Sequence, residues 1–211
     1  MTESNPKARN LQAIATEIQA IAQIGLAYSK DQFDLERYQQ LMRIAAELFS
    51  PLCDLNSDHL SVEFLTEIGY SCPKIDVRAF IRKDDQLLLV KETQDSKWSL
   101  PGGWADVNMT PSECVAKEVL EETGLVCRVN RLLALWDTAK HDHPPHWPYI
   151  YKCIFDCSVE EGEFCASHEI SEVGFFPLAD LPPLSRYRIT ASQIEKLVKL
   201  QDSGSIYTVY D

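Results

Sequence analysis

The chain has 211 residues, enough for one large or two small domains, and 45% of them are apolar, enough for a proper core. The formal net charge of −12 argues against nonspecific binding to nucleic acid or an anionic membrane. It also leaves an anionic substrate dependent on metal and local basic groups for its approach. No apolar run nears the roughly 20 residues of a membrane span, and Met1 to Pro6 lacks a signal-peptide core. Seven cysteines, Cys53, Cys72, Cys114, Cys127, Cys153, Cys157 and Cys165, are an odd count without paired Cys-x-x-Cys spacing. They point to free thiols in a reducing cytoplasm.

The first predicted element is a helix over residues 8 to 27, with Leu11, Ile14, Ile18 and Ile21 as its buried stripe and Gly25 at its end. Asp34 is placed to cap a second helix striped by Leu35, Tyr38, Leu41, Met42, Ala45 and Leu48, with Pro51 just beyond. A third runs from Ser57 to Ile68 and stops at Gly69. Pro73 marks a junction, so a small all-helical domain is expected over 1–70 and a second domain over 71–211. Helices of this size cannot bury both sides unaided. They must pack on the second domain or on another subunit, and the stripe fits a dimer helix pair and an intrachain hairpin equally. Residues 1–70 carry five Lys and Arg against ten Asp and Glu, a net of −5, which speaks against DNA as a partner.

After the junction, Lys74 to Arg82 and Gln86 to Glu92 read as strands joined by the turn Lys83-Asp84-Asp85. Arg78 lies mid-strand; it is either paired with Asp76 or Glu92, or it reads a phosphate, and Lys91 poses the same alternative. Trp98 to Leu100 is a short strand leading to the glycine loop Gly102-Gly103.

A helix follows. Thr110 and Glu113 form a capping box around Pro111, and Gly124 is the left-handed stop. Glu118, Glu121 and Glu122 stand at i, i+3 and i+4 and share a face; Ala116, Val119, Leu120 and Thr123 fall opposite. Like charges at this spacing destabilise a helix, so a bound hard cation such as Mg²⁺ or Mn²⁺ would relieve it. A solvated acidic face is the plainer reading, against which the glycine loop and the defined stop weigh.

Strands are predicted over Val126 to Trp136, Tyr149 to Val159 and Val173 to Pro177, and a last helix over Ile189 to Leu200. The tail from Gln201 to Asp211 reads as loose. Cys153 and Cys157 point to one side of their strand and read, like Cys114, as packing. The order fits α+β, or a mixed-sheet α/β/α sandwich. His141, His143 and His146 lie in a loop stiffened by Pro144 and Pro145, without a recognised zinc spacing. Glu169 and Glu172 precede Phe175 and are either ordinary loop acids or a further functional carboxylate.

The run from Gly103 to Leu125 resembles the Nudix box: glycine, five residues, glutamate, seven residues, Arg-Glu, an aliphatic, any residue, Glu-Glu, any residue, glycine, an aliphatic. Gly103, Glu118, Val119, Glu121, Glu122, Gly124 and Leu125 match. Met109 replaces the first glutamate and Lys117 the arginine, and Lys117 can reach Glu121 at i+4. Residues 8 to 185 are similar to a bacterial Nudix subfamily with an N-terminal helical domain. The carriers include Pro73-Lys74-Ile75-Asp76-Val77-Arg78 and Leu100-Pro101-Gly102-Gly103-Trp104-Ala105-Asp106-Val107.

The resemblance implies a Nudix sandwich, a homodimer, and a pyrophosphatase acting on CDP-choline, ADP-ribose or UDP-linked sugars. It implies Mg²⁺ or Mn²⁺ on Glu118, Glu121, Glu122 and the Gly102 carbonyl, with Lys117 in support and Glu169 or a box glutamate as base. It implies a substrate-facing role for the loop of His141, His143, His146 and Trp147, and Arg78 joins them as the phosphate-reading side of its alternative. The alternative is a noncatalytic Nudix nucleotide sensor, suggested by Met109 and Lys117.

Overall fold

The computed structural model describes residues 11–53, 56–165 and 167–211. Contacts divide it in two. One unit ends at Cys72 and takes in Pro145–Trp147; the other holds Pro73–Pro144 and Pro148–Asp211.

The first unit contains α1 (Leu11–Tyr28), α2 (Gln32–Phe49) and α3 (Ser57–Thr66). The predicted start at residue 8 lies outside the described residues. Asp31, not Asp34, caps α2, accepting from the Asp34 amide. The α2 stripe packs as expected, with Met42 and Ala45 buried. The α1 stripe packs only in part: Ile18 lies against this core and Ile14 is half-buried, but the fully buried positions of α1 are Ala15, Gln19, Ala22 and Gln23, while Leu11 and Ile21 are 53% and 54% exposed. Small alanines let α2 approach closely, and the buried amides bond in series, Gln19 Nε2 donating to Gln23 Oε1 at 2.8 Å and Gln23 Nε2 to the Gly69 carbonyl at 3.3 Å, which leaves Gln19 Oε1 buried without a hydrogen-bond partner among the described residues. Gly25 is a contact point rather than a stop. A Cβ there would lie 2.4 Å from the Tyr38 ring.

The second unit holds β1 (Lys74–Phe80), β2 (Arg82–Lys83), β3 (Gln86–Glu92), β4 (Trp98–Ser99), β5 (Gly102–Trp104), α4 (Pro111–Thr123), β6 (Leu125–Asp137), β7 (Ile150–Gly162), β8 (Ile170–Pro177), α5 (Ala191–Asp202) and β9 (Val209–Tyr210). One mixed sheet runs β5-β1-β7-β6-β9, with β1 parallel to β7 and antiparallel to β5. The other joins β2, β3 and β4, with β8 also on β3. Alternation along β1 and β3 feeds two cores. Val77, Ala79 and Leu88 pack with Val115 and Val119 of α4. Phe80, Leu87 and Leu89 pack with Ile194 and Leu197 of α5. The fold is α+β, a sheet pair between helices, preceded in the chain by the three helices.

Three differences from expectation have local causes. The strand read over 74–82 breaks at Ile81, where the chain leaves one sheet for the other; Ile81 is buried and its carbonyl accepts from the Leu88 amide. The segment read as a glycine loop is strand β5, paired with β1. The tail is tied down: β9 runs parallel to β6, and the Asp137 amide donates to Asp211 Oδ2 at 2.9 Å. Cys114, Cys153 and Cys157 are buried in the α4-side core, as their spacing suggested. Among the described residues no helix is long and apolar enough to cross a membrane.

Candidate active site

Helix α4 is fixed at both ends. Thr110 Oγ1 accepts from the Glu113 amide and Glu113 Oε2 from the Thr110 amide, a closed capping box. Those bonds hold the Glu113 carboxyl below its ordinary range. Gly124 ends the helix at φ 76°, its amide donating to Leu120 at 2.9 Å. The face turned to the core is Cys114, Val115, Val119, Glu122 and Thr123; Leu120, expected inside, is half exposed.

The three glutamates leave one helix face but meet three environments. Glu122 is buried and its Oε2 accepts from the Gly102 amide at 2.8 Å. Glu118 is half-buried, so close to β5 that a Cβ on Gly103 would lie 3.0 Å from its Oε1. Glu121 is exposed, 3.5 Å from Lys117 Nζ. Among the described residues, no three His, Cys, Asp or Glu side chains already converge as a ligand cluster.

Burial pushes the Glu122 carboxyl up to about 8, against the pull of Arg78 and the Gly102 amide, with Glu92 and Glu118 adding repulsion. Burial likewise raises Glu118, against Arg78 and Lys117. Gly102 has φ +141°, and a Cβ there would fall 2.0 Å from the Val77 carbonyl oxygen, so only glycine brings this amide to Glu122.

Lys117 stands where expected beside Glu121, but its shorter contact is with Asp106 Oδ2 at 2.8 Å, and that bond raises its pKa. Met109 is half-buried and packs against the apolar core beside α4. Asp106 was not singled out from sequence. It lies eleven residues before Lys117, beyond any helical periodicity; only its place in the Trp-Ala-Asp-Val run marked it.

Arg78 makes the structural pairing that one side of its alternative expected. It is buried, with Nε on Asp76 Oδ1 at 2.8 Å and NH1 on the Leu100 carbonyl at 3.0 Å. Lys152, its neighbour on β7, is buried and bonded to Asp76 Oδ2. Burial lowers Lys152 to about 8, while the two cations hold Asp76 below its ordinary range against its own burial. Glu92 completes the group, accepting from Ser99 Oγ at 2.9 Å and pairing with Arg188 at 2.9 Å. Asp76 and Lys152 become neighbours only through parallel pairing of strands 76 residues apart, which sequence spacing cannot show. Lys91 is also paired, 2.5 Å from Glu172 Oε1.

The residues of the histidine loop have partners within the protein. His141 Nε2 lies 3.0 Å from Asp211 Oδ2, and its ring packs on Trp136. His143 Nδ1 lies 2.7 Å from the Arg186 carbonyl. Trp147 packs on Phe64 at 4.6 Å in the core of the helical unit, and His146 lies in the same Pro145–Trp147 segment. Trp147 is thus half-buried against that core. Glu169 is exposed, 3.1 Å from His168, and its carbonyl accepts from the Thr93 amide.

Residues 9–62 match a family described as a UDP-X-like, N-terminal oligomerisation domain. Residues 73–197 match the NUDIX domain. A provisionally named ADP-ribose pyrophosphatase of Bacillus subtilis, YjhB, is 40% identical over 197 residues, 93% of this chain and 95% of the relative. A solved UDP-X diphosphatase is 34% identical, with TM-score 0.62 over 94% of this chain and 96% of that one. A solved ADP-ribose pyrophosphatase from Streptococcus suis is 40% identical, with TM-score 0.58 over 66% of this chain and 98% of that one. The capped glutamate helix thus sits in a chain that, along nearly its whole length, belongs to the Nudix hydrolase family.

Proposed function

We propose that the protein hydrolyses the diphosphate of a nucleoside diphosphate linked to a second group, X, giving a nucleoside monophosphate and X-phosphate. The carrying observation is the Glu122 carboxyl, buried, clamped by the Gly102 amide and raised to about 8 beside Glu118. Such a pair is costly as two anions and gains from a divalent cation. The donors are all hard oxygens, which suit Mg²⁺ or Mn²⁺: Glu118, Glu121, Glu122 and the Gly102 carbonyl. A cation held there supplies neutralisation of the diphosphate and a lowered pKa for attacking water. Lys117 holds a positive charge beside Glu121. The water's proton passes to a box glutamate or to Glu169.

The N-terminal match and the exposed Leu11 and Ile21 of α1 support a homodimer built on the helical unit. Names carried by the relatives put ADP-ribose and UDP-linked compounds, UDP-sugars among the candidates, first as substrates, with CDP-choline next. The sensor reading has no observation in its favour. Met109 is half-buried against the core and Lys117 keeps two carboxylate partners. Incubation of the three compounds and nucleoside triphosphates with Mg²⁺ or Mn²⁺, with products resolved by chromatography, tests the proposal. Nucleoside monophosphate and X-phosphate are expected from at least one of the three. Turnover of triphosphates alone, releasing pyrophosphate, contradicts it.

A further inference from the structure

We propose that Asp106 is a positioning residue for the glutamate helix, acting through Lys117; the inference rests on the metal-site reading above. Asp106 follows β5, the strand carrying Gly102 and Gly103, and α4 grips it at two points. Its amide donates to Sγ of the buried Cys114 at 3.2 Å. Its carboxylate accepts from Lys117 Nζ at 2.8 Å. Residues 114 and 117 stand at i and i+3, so both anchors lie on one face of α4.

The consequence falls on Lys117. A lysine is a point charge on a flexible four-carbon stem, and a half-exposed one samples many rotamers. A carboxylate fixed by its own backbone bond confines that ammonium, leaving it 3.5 Å from Glu121 Oε2. The same clamp sets the spacing of β5 against α4. That spacing is tight, since a Cβ on Gly103 would lie 3.0 Å from Glu118 Oε1, and the Gly102 amide stays 2.8 Å from Glu122. Position 109, where the box pattern has glutamate, holds a methionine packed among apolar side chains. Lys117 draws its carboxylate from three residues earlier in the chain. Exposed ion pairs contribute little to stability, so the clamp acts on placement of the glutamates rather than on folding.

Mn²⁺ binding to the full chain, followed by paramagnetic resonance, tests this in Asp106→Asn, Lys117→Met, the double variant and Asp106→Glu. Each of the first two is expected to weaken binding about tenfold, the usual scale for supports of metal ligands. The double variant should be no weaker than either, because one interaction is removed twice. Asp106→Glu should recover most of the affinity. Native affinity in Asp106→Asn, or losses that multiply in the double variant, overturn the proposal. A loss that Asp106→Glu fails to reverse marks a packing role and also overturns it. Absence of Mn²⁺ binding by the native protein fails the metal-site reading itself, a result distinct from native binding unaffected by Asp106.

Discussion

Replacing Asp76 with Asn is expected to leave Arg78 and Lys152 as adjacent buried cations. Breaking a buried ion pair by removing one partner costs about 3–5 kcal/mol. The loss should appear as a lower urea midpoint at unchanged slope; a midpoint within error of native would show that the network is not holding β1 to β7. Arg78 illustrates the limit of reading single residues. The sequence offered two roles with equal force, and the choice depended on Asp76, Leu100 and Glu92 meeting around it. Gly102 was legible as a motif position, but its reason, the 2.0 Å collision of any Cβ with the Val77 carbonyl, belongs to strand pairing. His141, His143 and Trp147 draw their partners, Asp211, the Arg186 carbonyl and Phe64, from distant parts of the chain that sequence spacing does not show.

Among elements, α4 was the most legible, because a capping box, Pro111 and an αL glycine are local signals. The strands of the second unit were also visible, apart from the sheet switch at Ile81 and the short strands β5 and β9, which exist only through their partners. Helix α1 was misread in azimuth. Apolarity favoured the isoleucines, but close packing chose the alanines and placed two hydrogen-bonded glutamines inside. Ile18 still packs on the helical core, and the exposed Leu11 and Ile21 are the surface on which the proposed homodimer would be built. Ile21→Glu, at a position 54% exposed, is expected to shift a dimer toward monomer by sedimentation at micromolar concentration while preserving helicity. A native protein that sediments as a monomer would remove the dimer, and an Ile21→Glu dimer of native strength would move the interface off this face.

For the whole molecule, the family, the α+β class and the sheet pair between α4 and α5 followed from the box and the order of elements. What sequence could not supply was the supporting chemistry drawn from distant strands: Asp106 on Lys117, and Lys152 and Arg78 on Asp76. The central claim is that Glu122 and its neighbours run a metal-dependent diphosphate hydrolysis. Glu122→Gln keeps the side chain's shape and an acceptor for the Gly102 amide but removes the charge. The most direct measurement is the turnover of this variant beside native protein on the best diphosphate substrate, across a Mn²⁺ titration. Turnover should fall at least about 100-fold, as loss of several kcal/mol of transition-state stabilisation implies, with chelator abolishing the native rate. A variant that turns over at the native rate with native Mn²⁺ dependence would contradict the account.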